Sequence, residues 1–472
     1  MKTFYNKQIK RMKFLSPGCL FIFILLVSPT YSQSRVIGYY PEYNSTVVTP
    51  ESIKFENLTN IIHAFAWPDT NGNIYLYSGM LGSSLVEEAH NADVKVSIAF
   101  GGAGEEQTEN FAAVAVSSEK REHFVSEVIQ LVSLYNYDGV DLDWEFPGTE
   151  EEKTGYTSLV KELREALDEV DSTLLLSMAV NPLGYYGQWS EYEEFVEYLD
   201  WVSIMGYDFH GSWLSHTGHN APLYKWQSDS DGSIDESFKY LNGQRKIPAE
   251  KLVLGVAFYG KIYNSDGLKK SWEPLSDDVD VSSWKYSTIY DEVTGDTNYV
   301  YNWDTEAKVP YYVNTVKNRF ITFDDTTSIR MKCEYALAKG MQGIMIWEIT
   351  QDLIDGDDQP LLKQIGVSMG LVEPTAIEEF GEELATSFEL FNNYPNPFNP
   401  TTKIGFKIPN GSFVTLKVYD ALGREVEVLI NKYLAAGKYE TVFDASHLSS
   451  GIYFYTLIAE DFIKTKKMSL VK

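Results

Sequence analysis

The chain has 472 residues, 44% of them hydrophobic and 14% aromatic, and a formal net charge of −28. That length accommodates one large domain and a smaller one. The acidic balance makes nucleic acid and anionic membrane poor partners and leaves a neutral, hydroxyl-rich or amide-rich ligand unaffected.

Residues 1–32 read as a secretory signal peptide: Lys2, Lys7, Lys10, Arg11 and Lys13 form a basic start, 14–27 is mostly apolar, and Thr30-Tyr-Ser32 offers a small-residue cleavage site. Its removal takes five positive charges and no acids, so the formal charge becomes −33. Cys333 is then the sole cysteine, and stability is expected from a large core rather than from disulfides.

Apolar strand-like runs follow at 36–40, 61–66, 94–100, 139–144, 174–180, 201–205, 252–258 and 343–347, with helical patterns between them. Between the fourth and fifth, Tyr156, Leu159, Val160, Leu163, Leu167 and Val170 mark one helix face. Buried strands alternating eight times with covering helices predict a (β/α)8 TIM barrel over 33–370, with its active site at the carboxyl ends of the strands. Tyr39-Tyr40, Trp67, Gly101-Gly102, Glu145, Asn181, Tyr207-Asp208, Tyr259 and Trp347-Glu348 fall at those ends.

The fourth run carries the chemistry. In Asp138-Gly-Val-Asp141-Leu-Asp143-Trp-Glu145, Val140, Leu142 and Trp144 alternate with three acids, so a strand of period two collects the carboxylates on one face. Acids about 7 Å apart cannot all ionise cheaply, so at least one should keep its proton near neutral pH, as an acid catalyst needs.

Residues of about 262–323 read as a small, β-rich insertion after the seventh strand, rich in Trp and Tyr and placed to wall a groove. Residues 371–387 read as an acidic linker, and 388–472 as an all-β sandwich with strands near 403–408, 413–420, 439–443 and 452–459. That tail has ten Lys and Arg against eight Asp and Glu and no Trp, so no chemistry is assigned to it.

The acid strand matches the DxxDxDxE signature and resembles glycoside hydrolase family 18, the chitinases and their relatives. Val36-Ile-Gly-Tyr-Tyr-Pro41, Met205-Gly-Tyr-Asp208 with Phe-His-Gly-Ser-Trp213, Leu254-Gly-Val-Ala-Phe-Tyr-Gly260 and Gly343-Ile-Met-Ile-Trp347-Glu348 resemble the family's first, sixth, seventh and eighth strands. The insertion resembles the small α+β insertion of the deeper-grooved chitinases. Departures are Ala99, where the family often has a mainly structural Ser, and Ala257 for a Pro and Lys261 for an Arg, which bear on subsites and chain-length preference rather than on catalysis.

The resemblance implies a retaining hydrolysis assisted by the substrate's own acetamido group, an exception to the two-carboxylate scheme. It implies Glu145 as acid and base, Asp143 as the residue holding the acetamido N–H, Asp141 beneath it sharing a proton, and Tyr207 donating to the acetamido oxygen. Tyr39, Phe65, Trp67, Gly102, Met205, Asp208, Tyr259 and Trp347 are the implied substrate-binding residues. Trp213, Trp226 and Trp303 read as loop residues able to stack on sugars. No cofactor is implied, and the histidines lack ligand spacing, so no metal is expected. The partners implied are chitin or N-acetylglucosamine-containing glycans, acted on by a monomer. Rival readings are an endo-β-N-acetylglucosaminidase acting on N-glycans and a non-catalytic chitin-binding lectin.

The tail, from Leu390-Phe-Asn-Asn-Tyr-Pro-Asn-Pro through Tyr419-Asp-Ala-Leu-Gly-Arg424 to Ser450-Gly-Ile-Tyr453, is similar to the C-terminal sorting domain of type IX secretion substrates. That implies a secreted or outer-surface-attached protein handled by type IX secretion machinery.

Overall fold

The structure is a computed structural model and describes residues 34–472 apart from 227–228, 273–280, 355, 357, 373–376, 380–386, 410–411, 435–436, 447 and 460–461. The signal-peptide reading lies outside the described residues.

Eight parallel strands form a closed ring: β1 (Arg35–Pro41), β2 (Asn60–Pro68), β3 (Lys95–Gly101), β4 (Gly139–Asp143), β5 (Leu175–Val180), β6 (Trp201–Ile204), β7 (Leu252–Ala257) and β8 (Gly343–Trp347). Each pairs with the next in sequence, and β8 closes on β1 with Arg35 opposite Gly343. All eight were visible as apolar runs because a barrel strand is covered on both faces. The two faces still serve different layers. Val36, Val96, Val140, Leu142 and Trp144 join the core beneath the helices, whereas Ile37, Tyr39, Ile62, Ala99, Val253 and Met345 pack inside the ring.

The helix Glu150–Val170 shows why the acid strand is held firmly. The Thr149 side chain accepts from the Glu152 N–H, three glutamates occupy the first turn, and Tyr156, Leu159, Val160, Leu163 and Leu167 are buried at helical spacing. Trp144 stacks on Phe111 at 5.7 Å and stands edge-on to Tyr156 at 5.0 Å. The apolar face of the acid strand is thereby locked under two helices.

The insertion begins at Tyr259, immediately after β7. It is a five-stranded sheet ordered Ser282–Lys285, Tyr259–Asn264, Arg319–Thr322, Val309–Asn314 and Val300–Asp304, with the helix Tyr286–Gly295 on its Ile262–Ile289–Ile321–Phe323 core. The tail forms two four-stranded antiparallel sheets. One difference from the sequence reading concerns the acidic linker. Within 371–387, Ile377–Glu379 pairs with Tyr439–Thr441 as an added strand. The edge of that sheet offers unpaired backbone groups, which an acidic segment can satisfy as well as any other.

The ends of β3 and β4 meet through glycine. Gly101 and Gly102 have φ of +128° and +91°, the Gly102 N–H donates to the Asp143 carbonyl at 2.9 Å, and a Cβ on Gly101 would lie 2.1 Å from that carbonyl. Gly101→Ala is therefore expected to destabilise the fold by more than about 2 kcal/mol, from positive-φ strain added to overpacking. Chemical denaturation of the variant checks this.

Candidate active site

The period-two strand delivers its acids as expected, but to different depths. Asp141 is wholly buried and receives hydrogen bonds from the Tyr39 hydroxyl at 2.6 Å and the Ser177 hydroxyl at 2.5 Å. Asp143, one pleat higher, is 5% exposed, and its Oδ1 is buried without a hydrogen-bond partner. Glu145 stands just past the end of β4, where the Thr108 hydroxyl donates to its backbone carbonyl at 2.6 Å. Two hydroxyls thus engage both oxygens of Asp141, and its charge is one of those that act on Asp143.

Burial raises all three acids. Asp141 is pushed up to about 6 even though its two hydroxyl partners oppose the shift. Asp143 is held well above the usual carboxylate range by burial and then by the charges of Glu145 and Asp141. Glu145 is raised to about 7, first by burial and then by the Asp208 carboxylate. A carboxyl that is half protonated near neutrality can donate a proton and then take one back.

Above them lies a cavity of about 380 Å³. Asp143, Glu145 and Tyr207 line it, and so do all eight expected binding residues: Tyr39, Phe65, Trp67, Gly102, Met205, Asp208, Tyr259 and Trp347. Its floor is aromatic. Trp347 stands edge-on to Tyr39 at 5.4 Å and lies 5.8 Å from Phe65. Asp208, at φ +57°, pairs with Lys261 at 2.7 Å, and the Lys261 ammonium lies 5.2 Å above the Tyr259 ring. The buried Tyr207 hydroxyl is kept protonated by burial and by the nearby Asp143 charge, so it is available as a donor.

Some strand-end residues lie elsewhere. Tyr40 is buried and donates to the Val48 carbonyl; Glu348 accepts from Asn44 and Thr350; Asn181 lines a smaller neighbouring cleft. Trp226, read as a loop residue able to stack on a sugar, is fully buried beside His219 and so cannot. Trp213 is 60% exposed. The sequence reading missed Tyr43, Tyr77 and Gln107, which also line the cavity. Tyr77 rests on Trp67 and Tyr43 on Tyr77, extending the aromatic wall along one side. The available signal was the β-hairpin that returns Ile74–Leu76 alongside β2, placing Tyr75 opposite Trp67.

Residues 35–352 match the model of the glycosyl hydrolases family 18, and 392–471 match that of the secretion system C-terminal sorting domain. The chain is 32% identical over 292 residues to chitinase A1 of Niallia circulans, covering 56% of this chain and 41% of that protein. It is 31% identical over 349 residues to a probable chitinase 2 of Drosophila melanogaster, covering 66% and 70%. A solved GH18 chitinase of Cycas revoluta in complex with (GlcNAc)3 superposes with a TM-score of 0.64 at 26% identity, covering 71% of this chain and 99% of that one.

Proposed function

The chain belongs to the glycosyl hydrolases family 18, and on that premise we propose that it hydrolyses β-1,4 bonds between N-acetylglucosamine units by a retaining, substrate-assisted route. The observation that carries this reading is the pairing of Glu145, raised to about 7, with a buried Asp143 that has an unpartnered oxygen in one aromatic-floored cavity.

Glu145 protonates the glycosidic oxygen as the bond to the leaving sugar breaks. The acetamido carbonyl oxygen of the sugar over Trp347 forms the new bond to the anomeric carbon. Asp143 accepts the acetamido N–H and offsets the positive charge of the ring that forms. Water, deprotonated by Glu145, then opens that ring and restores the configuration. Tyr207 donates to the acetamido oxygen and so orients it. Asp141, held by Tyr39 and Ser177, acts on Asp143 through charge. Without an N-acetyl group the arrangement has no nucleophile, so the substrate class follows from the mechanism. The C-terminal domain supports export by type IX secretion to the medium or the outer surface.

The test is product analysis by mass, with the purified chain given chitin oligomers and, separately, a high-mannose glycoprotein. N-acetylglucosamine oligomers that disappear with Glu145→Gln are the expected result. Glycan release with chitin untouched moves the assignment to an endo-β-N-acetylglucosaminidase, and binding without turnover of either leaves a lectin.

A pH dependence follows. Activity should fall above about pH 7 as Glu145 loses its proton. The Asp208 charge helps to keep that proton on, so Asp208→Asn lowers the affinity of Glu145 for it and moves the alkaline limb of kcat/KM to lower pH. A kcat/KM profile with an unmoved limb would remove Asp208 from this role.

A further inference from the structure

The spacing of histidines along the chain gave no reason to expect a metal, but the loop after β6 folds back on itself and brings donors together. Phe209 N–H donates to the Asn220 carbonyl at 3.0 Å, and His210 Nδ1 meets the His219 carbonyl at 2.9 Å. His210, His216, Asp229 and Asp231 then each offer one donor atom, all within 4.8 Å of one another.

Three details point to a ligand here. An imidazole nitrogen facing a carbonyl carries a proton, so a single ring proton on His210 sits at Nδ1 and leaves the Nε2 lone pair facing the cluster. That Nε2, on a fully buried side chain, and the buried Oδ2 of Asp229 make no well-aligned hydrogen bond and have only looser ion-pair contacts within the cluster. The contacts also have the right size. His210 Nε2 lies 3.5 Å from Asp229 and 3.3 Å from Asp231, and His216 Nε2 lies 3.0 Å from Asp231. A tetrahedral ion with bonds of about 2.0–2.1 Å has ligand–ligand edges of about 3.3 Å.

We propose that His210, His216, Asp229 and Asp231 bind one divalent transition-metal ion of the zinc class. Two imidazoles and two carboxylates suit that class, whereas calcium and magnesium take sets of six or more oxygens. The two carboxylates neutralise a dication. His210 and Asp229 form the buried floor, and the partly exposed His216 and Asp231 give access from solvent. The ion fastens the loop that carries Asp208 into the cavity wall and presents Trp213 to solvent, next to the Lys261 that Asp208 holds.

The test uses the full chain, stripped with chelator and then dialysed against micromolar Zn2+. Bound metal is counted by elemental mass spectrometry and the melting temperature is read with and without the ion. One ion per chain and a raised melting temperature are expected. His216→Ala and Asp231→Asn alter partly exposed side chains, so these variants should fold, lose the ion and lose the rise. Retention of no ion by the unmodified chain, or equal retention by both variants, overturns the proposal. In the first case an imidazolium signal from His210 would identify the cluster as an ion-pair network.

Discussion

Glu145→Gln is expected to leave the fold intact and to lower kcat by roughly 10²–10⁴-fold, the usual contribution of a positioned acid–base group. Gln fills the same volume but carries no transferable proton, so binding should survive and KM should change far less than kcat. The same substitution should change stability with the opposite sign. Glu145 sits at about 7 in the fold, above its ordinary value of 4.5, so the native state holds this proton more tightly than the unfolded chain does. Stability from this group is fully present below about pH 4.5 and is lost as pH rises through about 7. At pH 8 the variant should therefore be more stable than the unmodified chain, by roughly 2–3 kcal/mol. Denaturation at pH 4.5 and pH 8 checks the sign. A variant equally active on chitin oligomers, or destabilised only at pH 8, would refute the assignment.

Asp143→Asn is expected to reduce kcat by roughly 10²–10³-fold, on the scale of losing one preorganised electrostatic contact to a developing charge. The substitution preserves shape and an acceptor oxygen, so what it removes is the negative charge facing the positively charged ring. Burial and the neighbouring acids disfavour that charge in the free enzyme, so the variant should melt no lower than the parent at pH 8. Loss of rate without loss of stability would separate an electrostatic role from a structural one. Steady-state kinetics on an N-acetylglucosamine oligomer, paired with thermal melts, makes the comparison. Unchanged kcat would show that the ring charge is met by another group.

The two variants also separate depth from chemistry along one strand. Asp141, Asp143 and Glu145 share a face because side chains alternate, and that was plain from the run Asp141-Leu-Asp-Trp-Glu145. Their different tasks were not plain from it. Asp141 reaches Tyr39 and Ser177, 102 and 36 positions away in sequence, and no local pattern records such contacts. The Trp residues show the same limit. Trp144 alternates with the acids and packs in the core as that alternation predicts, but Trp226 reads as a loop residue and is enclosed beside His219.

The sequence by itself determined the eight strands and their order, the face on which the acids stand, the inserted sheet and the all-β tail. Each of these rests on periodicity within a few neighbouring residues, which backbone geometry converts directly into buried and exposed faces. Only the tertiary structure decided which side chains meet across the ring. It carried Tyr43 and Tyr77 into the cavity wall, placed two hydroxyls on Asp141, and gathered His210, His216, Asp229 and Asp231 at one point. Such meetings depend on how loops close over a packed barrel, a property of the whole chain rather than of any stretch of it.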